Sequence, residues 1–485
     1  MSTTIMYQIS TRPYLYELSR KQKVESLADV PDEMLDKLKA AGITIVWFMG
    51  VWKLGEIGLN FDRNYPPLLK AYSEDLPGYT KDDIIGSPYS IVEYTCHPDI
   101  GTDDDIAKLR DRLHSRDMRL MLDFVPNHTA RDGTLKEKGL DYYVREAKGR
   151  GRDTNRFDAD GVAYGSDPNY PGGWKDTSQL NYWNPDTWKF QVDTLLHIAA
   201  LCDGIRCDMA MLCMNDVIQR TWGEELASNG YKRPQAEFWK EAISTVKAKF
   251  PQVIFLAECY WDTEAALHGL GFDFTYDKAL YDRLEHFHLQ NLRDYITSKP
   301  VEYHFKSAHF TENHDEPRAV RQFKSIPAAN AAALISMTMP GMRFHHHGQW
   351  QGFSNRLRVH LRRSADEPVH PEVEAFYAKL CDATAADVFH KGKWTYLNVK
   401  GDNSWRFVGW RWEYEDEKRA IIVNYSDQMA DARLPLDNAS ARDGKDDIEV
   451  EDLLTGNKFV RSAKEMASAG LHVVLGPFTG HIFKY

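Results

Sequence analysis

The sequence predicts an α/β fold: a closed (β/α)8 TIM barrel with an insertion after strand 3 and a C-terminal antiparallel β-domain. Three observations predict it. Short apolar runs alternate with longer helical patterns through most of the chain, one stretch of about fifty residues breaks that rhythm, and the pattern changes to strand-length alternation near residue 386. Strand candidates run Ile5 to Thr11, Ile43 to Met49, Leu120 to Val125, Leu201 to Met209, Val253 to Glu258, Phe272 to Tyr276, Ala308 to Glu312 and Met342 to His346. Helical patterns at Pro31 to Ala41 and Asp103 to Arg116 supply the crossovers that parallel strands require. Eight such strands suggest a barrel whose chemistry belongs at their carboxyl ends.

The break spans Thr129 to Leu180, rich in Gly, Asp, Arg, Lys and Tyr, as in Gly149-Arg150-Gly151-Arg152-Asp153. A loop that long inside a compact domain is functional or a small subdomain. After a helix from His370 to Ala385, strands are expected at Trp394 to Val399, Trp405 to Trp412, Ala420 to Asn424, Ile448 to Leu453 and Leu471 to Val474. The expected domains are therefore the barrel (1–128 and 181–385), the inserted subdomain B (129–180) and a C-terminal β-sandwich (386–485). A chain of 485 residues accommodates this, since such barrels take about 200–400 residues.

A net charge of -11, with 60 basic residues dispersed along the chain, offers no cationic surface for a phosphate backbone, so nucleic acid is excluded as a partner. The amino terminus lacks a basic segment leading into an apolar core, and no window approaches eighteen apolar residues. No membrane association is expected and the protein is assigned to the cytoplasm. Cys96, Cys202, Cys207, Cys213, Cys259 and Cys381 show no zinc-type pairing and read as buried free thiols of a reducing compartment. Cys207 and Cys259 flank acidic residues, but no His accompanies either in an arrangement that would activate a thiol.

The chemistry concentrates at predicted strand ends. Arg206 and Asp208 lie two apart in a strand and so project to the same side. The guanidinium should depress the Asp208 pKa and keep it ionised. Glu258 follows Phe255-Leu256-Ala257, apolar surroundings that favour the protonated form and hence a general acid. A structural ion pair, with Glu258 capping a helix, explains these positions equally well. The segment Phe310-Thr311-Glu312-Asn313-His314-Asp315-Glu316-Pro317-Arg318 shifts the balance, because a purely structural strand end rarely needs five ionisable side chains. His314 and Asp315 could grip adjacent sugar hydroxyls, and an ionised Asp315 would stabilise positive charge at an anomeric carbon. In Asp123-Phe124-Val125-Pro126-Asn127-His128, His128 reads as a substrate donor and Asp123 and Asn127 as braces.

These four segments resemble the four short signature regions of the alpha-amylase family of glycoside hydrolases, and the resemblance covers nearly the whole chain. It implies that Asp208 is the nucleophile, Glu258 the general acid/base and Asp315 the transition-state stabiliser of a retaining mechanism. It further implies that Arg206, His128 and His314 contact the sugar and that Tyr89, in Gly86-Ser87-Pro88-Tyr89-Ser90, is the aromatic on which the ring stacks. Two departures matter. Many starch-cleaving members carry Lys-His where this chain has Met211 and Leu212, and Thr177-Ser178-Gln179-Leu180-Asn181 lacks the acidic residue that often binds calcium. Asn127 alone does not make the six to eight oxygens calcium takes, so neither calcium nor another cofactor is expected.

Other candidates weigh less. Alternation places His345 and His347, but not His346, on one face, and no further ligand follows at metal spacing. Asp158-Ala159-Asp160-Gly161 reads as a solvated turn rather than a calcium loop. Tyr182, Trp183, Trp261 and Trp350 are either sugar platforms or core aromatics. The expected activity is retaining hydrolysis of α-1,4-glucosidic bonds in maltooligosaccharides or glucans. An α-glucosidase or transglycosylase acting on small α-glucosides remains open, because all three share the covalent intermediate. A non-catalytic sugar-binding barrel would be marked by loss of one carboxyl, and all three are present.

Overall fold

The computed structural model describes residues 3–149, 153–170, 172–440 and 446–485, so Arg150-Gly151-Arg152 of the insertion lie outside the described residues. Eight strands form the barrel: β1 (Ile5–Ser10), β2 (Ile45–Met49), β3 (Arg119–Phe124), β4 (Gly204–Cys207), β5 (Ile254–Ala257), β6 (Phe274–Tyr276), β7 (Ser307–His309) and β8 (Met342–His346). Each pairs in parallel with its sequence neighbours, and β8 closes onto β1 with Ile5 opposite Arg343. β2 is buried throughout, which is why it reads as an unbroken apolar run rather than an alternating one, and β8, equally buried, encloses Arg343, His345 and His346. The helix Asp103–His114 shows how the crossovers are set. Thr102 Oγ1 accepts from Asp105 N (3.3 Å), three aspartates occupy the first turn, and Ile106, Leu109 and Leu113 form the stripe packed inward.

The chain makes two excursions from the barrel, where the sequence indicated one. After β3, His128–Ala130 pairs with Thr177–Gln179 to form the antiparallel stem of the insertion. After β2, residues 50–102 build a ribbon (Trp52–Leu54 with Ile91–Cys96), two helices (Glu56–Asp62 and Pro66–Asp75) and a small core of Tyr72, Leu76 and Ile84 that Leu361 completes from the β8 loop. Local periodicity did not reveal it because a residue almost three hundred positions away supplies part of that core.

The C-terminal region holds β9 (Lys393–Tyr396), β10 (Phe407–Tyr414), β11 (Glu417–Asn424), β12 (Ala430–Leu434), β13 (Asp447–Asp452), β14 (Lys458–Ser462), β15 (Leu471–Leu475) and β16 (Thr479–Lys484). Six form one antiparallel sheet, in the order β9-β10-β11-β16-β13-β14, and β12 pairs with β15. β12, β14 and β16 are additional to the strands read from sequence. β14 is mostly exposed and β16 partly so, which leaves little apolar signal. Strand alternation divides the large sheet between two cores: Val408, Trp410, Trp412, Ile421, Val423 and Ile482 join the barrel's core, while Phe407, Ala420, Ile422 and Phe483 face the β12–β15 pair. Gly409 permits that second packing, since a Cβ there would lie 2.8 Å from Leu434 Cδ1.

Candidate active site

The acidic groups gather at the carboxyl ends of the strands. Asp208 and Glu258 each sit one residue beyond a strand, with Asp208 N bonded to Phe124 O (2.9 Å) and Glu258 N to Cys207 O (3.0 Å). Arg206 is fully buried and serves both: Nη1 lies 2.7 Å from Asp208 Oδ1 and Nη2 lies 2.7 Å from Glu258 Oε2. Its guanidinium is held beneath the rings of Trp47 and Tyr89 (5.1 and 5.2 Å) and donates Nε to Tyr276 Oη (3.3 Å). Asp315 comes from a loop six residues past β7. Asn313 Oδ1 fixes it by accepting from the backbone N–H groups of Asp315 and Glu316 (both 2.9 Å). His314 Nε2 lies 3.0 Å from Asp315 Oδ2 and 2.7 Å from Tyr89 Oη. Asp208, Glu258, Asp315, Arg206, His314 and Tyr89 thus form one connected cluster.

His128 stands beside it on the insertion's stem, its ring 5.4 Å from that of Trp174 and bonded to the Tyr89 backbone. Burial lowers it to about 4, so it is a neutral imidazole near pH 7. Asp123 lies opposite Arg206 in the β3–β4 register and accepts from Gly50 N (2.8 Å).

The buried Arg206 facing four carboxyls, with Arg356 near Asp315, sets the electrostatics. Burial raises Glu258 to about 7, with the Arg206 contact opposing and Asp208 and Asp315 reinforcing the rise. Burial also raises Asp208, and here the structure departs from the sequence reading. Arg206 does lower Asp208, but the guanidinium is shared with Glu258 and does not offset the desolvation. Asp315 is instead the depressed carboxyl: desolvation inside the mouth opposes this, and His314, Arg206 and Arg356 together outweigh it.

The five ionisable groups of 310–318 divide between two roles. Glu312 binds Arg318 Nη1 (2.7 Å) and caps the helix Ala319–Gln322 through Ala319 N (2.7 Å), and Glu316 pairs with Lys278 (3.2 Å). Only His314 and Asp315 reach the cluster. The β7 strand therefore stops at His309 rather than at Glu312, because the following residues turn to make these contacts. His345, His346 and His347 separate: His345 Nδ1 accepts from Trp350 Nε1 (3.1 Å), His346 meets Gln8 (2.9 Å), and His347 packs edge-on against Tyr14. Asp158 is buried rather than solvated: its Oδ1 accepts from Asp160 N and Val162 N (3.0 and 2.9 Å) and its Oδ2 pairs with Lys136 (3.5 Å). Asn127 Oδ1 is engaged by Gln179 Nε2 (2.9 Å), and no group of three or more His, Cys, Asp or Glu side chains converges among the described residues. That donor set does not fit a calcium ion. Tyr182 and Trp350 are core aromatics, whereas Trp261 is 39% exposed. Met211 and Leu212 are buried. Burial pushes the Cys207 and Cys259 thiols far up, which leaves them unreactive.

Four contributors escaped the sequence reading. Gln8 Nε2 holds His314 Nδ1 (2.6 Å), Tyr260 Oη donates to Glu258 Oε1 (2.7 Å), Trp47 covers Arg206, and Arg356 donates to the Asp315 carbonyl. Two carried a signal: Gln8 is the amide in an otherwise apolar run, and Tyr260 lies two residues past Glu258.

The chain belongs to the alpha-amylase family: the model described as alpha amylase, catalytic domain, matches residues 32–417. It is 24% identical over 369 residues to alpha-amylase 3 of Dictyoglomus thermophilum, covering 71% of this chain and 63% of that protein. The chain thus spans somewhat under two thirds of that curated relative. A noncanonic maltogenic alpha-amylase, AmyB, from Thermotoga neapolitana superposes with a TM-score of 0.72 at 20% identity, over 99% of this chain and 98% of that one. The Nostoc punctiforme debranching enzyme does so with a TM-score of 0.67 at 15% identity, over 100% of both. No helix among the described residues is long and apolar enough to cross a membrane.

Proposed function

We propose that this protein is a retaining glycosidase acting on α-1,4-linked glucose units of maltooligosaccharides or glucans. The observation that supports it is one buried guanidinium joining Asp208 and Glu258 while a third carboxyl, Asp315, is held ionised beside His314. Environments that push carboxyl pKa values apart divide acid from base. Glu258, raised to about 7, keeps a proton and delivers it to the glycosidic oxygen as that bond breaks. Asp208, once ionised, attacks the anomeric carbon, and a covalent glycosyl ester forms on its carboxylate. Asp315 and His314 hold adjacent hydroxyls, and the Asp315 charge stabilises the oxocarbenium-like transition state. The Tyr89 ring supplies an apolar face for the sugar, and neutral His128 donates or accepts without adding charge. Glu258, now a carboxylate, takes a proton from water, which opens the ester with net retention.

Membership of the alpha-amylase family and the maltogenic amylase among similar structures support α-glucan as the substrate class. The buried Met211 and Leu212 and the occupied Asn127 support a reaction without calcium. The test is proton NMR of maltoheptaose hydrolysis: the α-anomer is expected to form first. A β-anomer as first product, or Asp208→Asn protein with full activity, would overturn the mechanism.

A further inference from the structure

In the barrel order β1 lies diametrically opposite β5, the strand that carries Glu258. If the C1 of a glucose meets Glu258 and Asp208 while His314, Asp315 and Tyr89 hold its ring, its C4 and any preceding glucose units lie on the side of β8, β1 and β2. That side is built over. The β8 loop is pinned at its base by Glu367, which accepts from Ser354 N, Ser354 Oγ and Asn355 N (2.8, 2.7 and 3.0 Å). At Arg356 it touches the Asp315 carbonyl, and at Leu361 it bridges to Ile84 of the β2 excursion. Five residues reach at most about 17 Å, so this strap runs directly from the β7 loop to the β2 loop across the mouth of β1. Ile84 is itself only five residues from Tyr89.

The strap is fastened rather than loosely laid. Arg363 binds Asp83 through Nε and Nη2 (2.7 and 3.0 Å), Arg358 pairs with Asp75, and Ile85 N bonds His360 O (2.9 Å). Arg362 N donates to Asp83 O (2.9 Å), and Leu361 fills the core of Tyr72, Leu76 and Ile84. Ser364 Oγ donates to Glu17 Oε1 on the helix after β1 (3.1 Å), a further tie of the strap to the barrel. A bidentate ion pair over a shared apolar core holds a fixed geometry.

We propose that the strap of residues 354–367 makes the sugar site a pocket closed beyond C4, so that the enzyme takes only the non-reducing terminal glucose of a linear α-glucan. This rests on the glycosidase reading above and specifies its substrate. The test uses p-nitrophenyl maltoheptaoside whose non-reducing terminal glucose is either free or capped as an ethylidene acetal, with products sized by mass spectrometry. The free substrate is expected to shorten by one glucose at a time, and the capped one to react about a hundredfold more slowly or less. Capped substrate cut at a comparable rate, or first products of mixed length, would overturn the pocket while leaving the glycosidase reading intact. Turnover of neither substrate would overturn the glycosidase reading and the pocket with it. Loosening the strap by Arg358→Ala with Arg363→Ala, neither of which touches the carboxyl cluster, is expected to raise the capped-to-free rate ratio about tenfold. An unchanged ratio in the folded variant would exclude the strap as the barrier.

Discussion

The barrel mouth and the seam between barrel and C-terminal sheet are both buried, yet they are built on opposite terms. At the seam, Trp410 and Trp412 enter an apolar core, Trp412 Nε1 finds Thr338 O (2.8 Å) and Tyr425 Oη finds Leu284 O (2.9 Å). At the mouth, one guanidinium faces Asp123, Asp208, Glu258 and Asp315, and reaches Asp123 Oδ1 only at 3.7 Å. Met209, adjacent to Asp208, also adopts a left-handed backbone (φ 40°), and its N–H binds Glu258 Oε2 (2.9 Å). The seam is organised for stability and the mouth for chemistry, as expected where unneutralised charge is retained for function.

Substitutions should separate the two. Asp208→Asn should lower kcat by on the order of 10⁴–10⁶-fold, as loss of a nucleophile does, measured as maltooligosaccharide turnover. Its melting temperature should not fall. A carboxyl raised by burial disfavours the folded state once pH exceeds the ordinary carboxylate range, and the amide removes that cost. A lower melting temperature would show that Asp208 is a stabilising ion pair after all. Glu258→Gln should cost about 10²–10⁴-fold in kcat/KM on maltooligosaccharides and far less in kcat/KM on α-glucosyl fluoride, whose leaving group needs no proton, although opening of the ester, which uses Glu258 as base, stays slow on both. Equal losses on both would remove Glu258 from the acid role.

Trp412→Ala should do the reverse, destabilising by about 3–5 kcal/mol as a large buried side chain is lost. Its kcat at a temperature where the protein stays folded should remain near wild type, and a proportional loss would mean that the seam communicates with the mouth. The rate–pH profile should fall on the alkaline side near 7 as Glu258 loses its proton, and on the acid side above the usual aspartate range as Asp208 gains one. Tyr260→Phe removes a bond that favours ionised Glu258, so the alkaline limb should move up by about one pH unit; a downward shift would reverse the assigned role. The smallest expected effect is that of a chelator, which should leave melting temperature and activity unchanged. A loss that calcium restores would show a site that the engaged Asn127 does not suggest.

Much of the mouth was legible because its parts are local. Arg206 and Asp208 share a face by strand periodicity, and their 2.7 Å contact follows from it. The direction of the Glu258 shift was legible too, from the apolar run before it. The direction for Asp208 was not, since it depends on Arg206 being divided with a residue fifty positions away. Glu312 and Arg318 added to the weight of the 310–318 segment because sequence cannot tell a crowded loop that braces itself from one that faces substrate.

By itself the sequence determined the strand and helix periodicities, the order of eight strands and the residue types at their ends, because each depends on neighbours within a few positions. Barrel closure decided what those residues meet: that one arginine serves two carboxyls, that Gln8 orients His314, and that Leu361 completes a core begun at Tyr72. Such contacts reach from about fifty to about three hundred residues along the chain, and their energies depend on distances and burial that exist only once the chain has closed on itself.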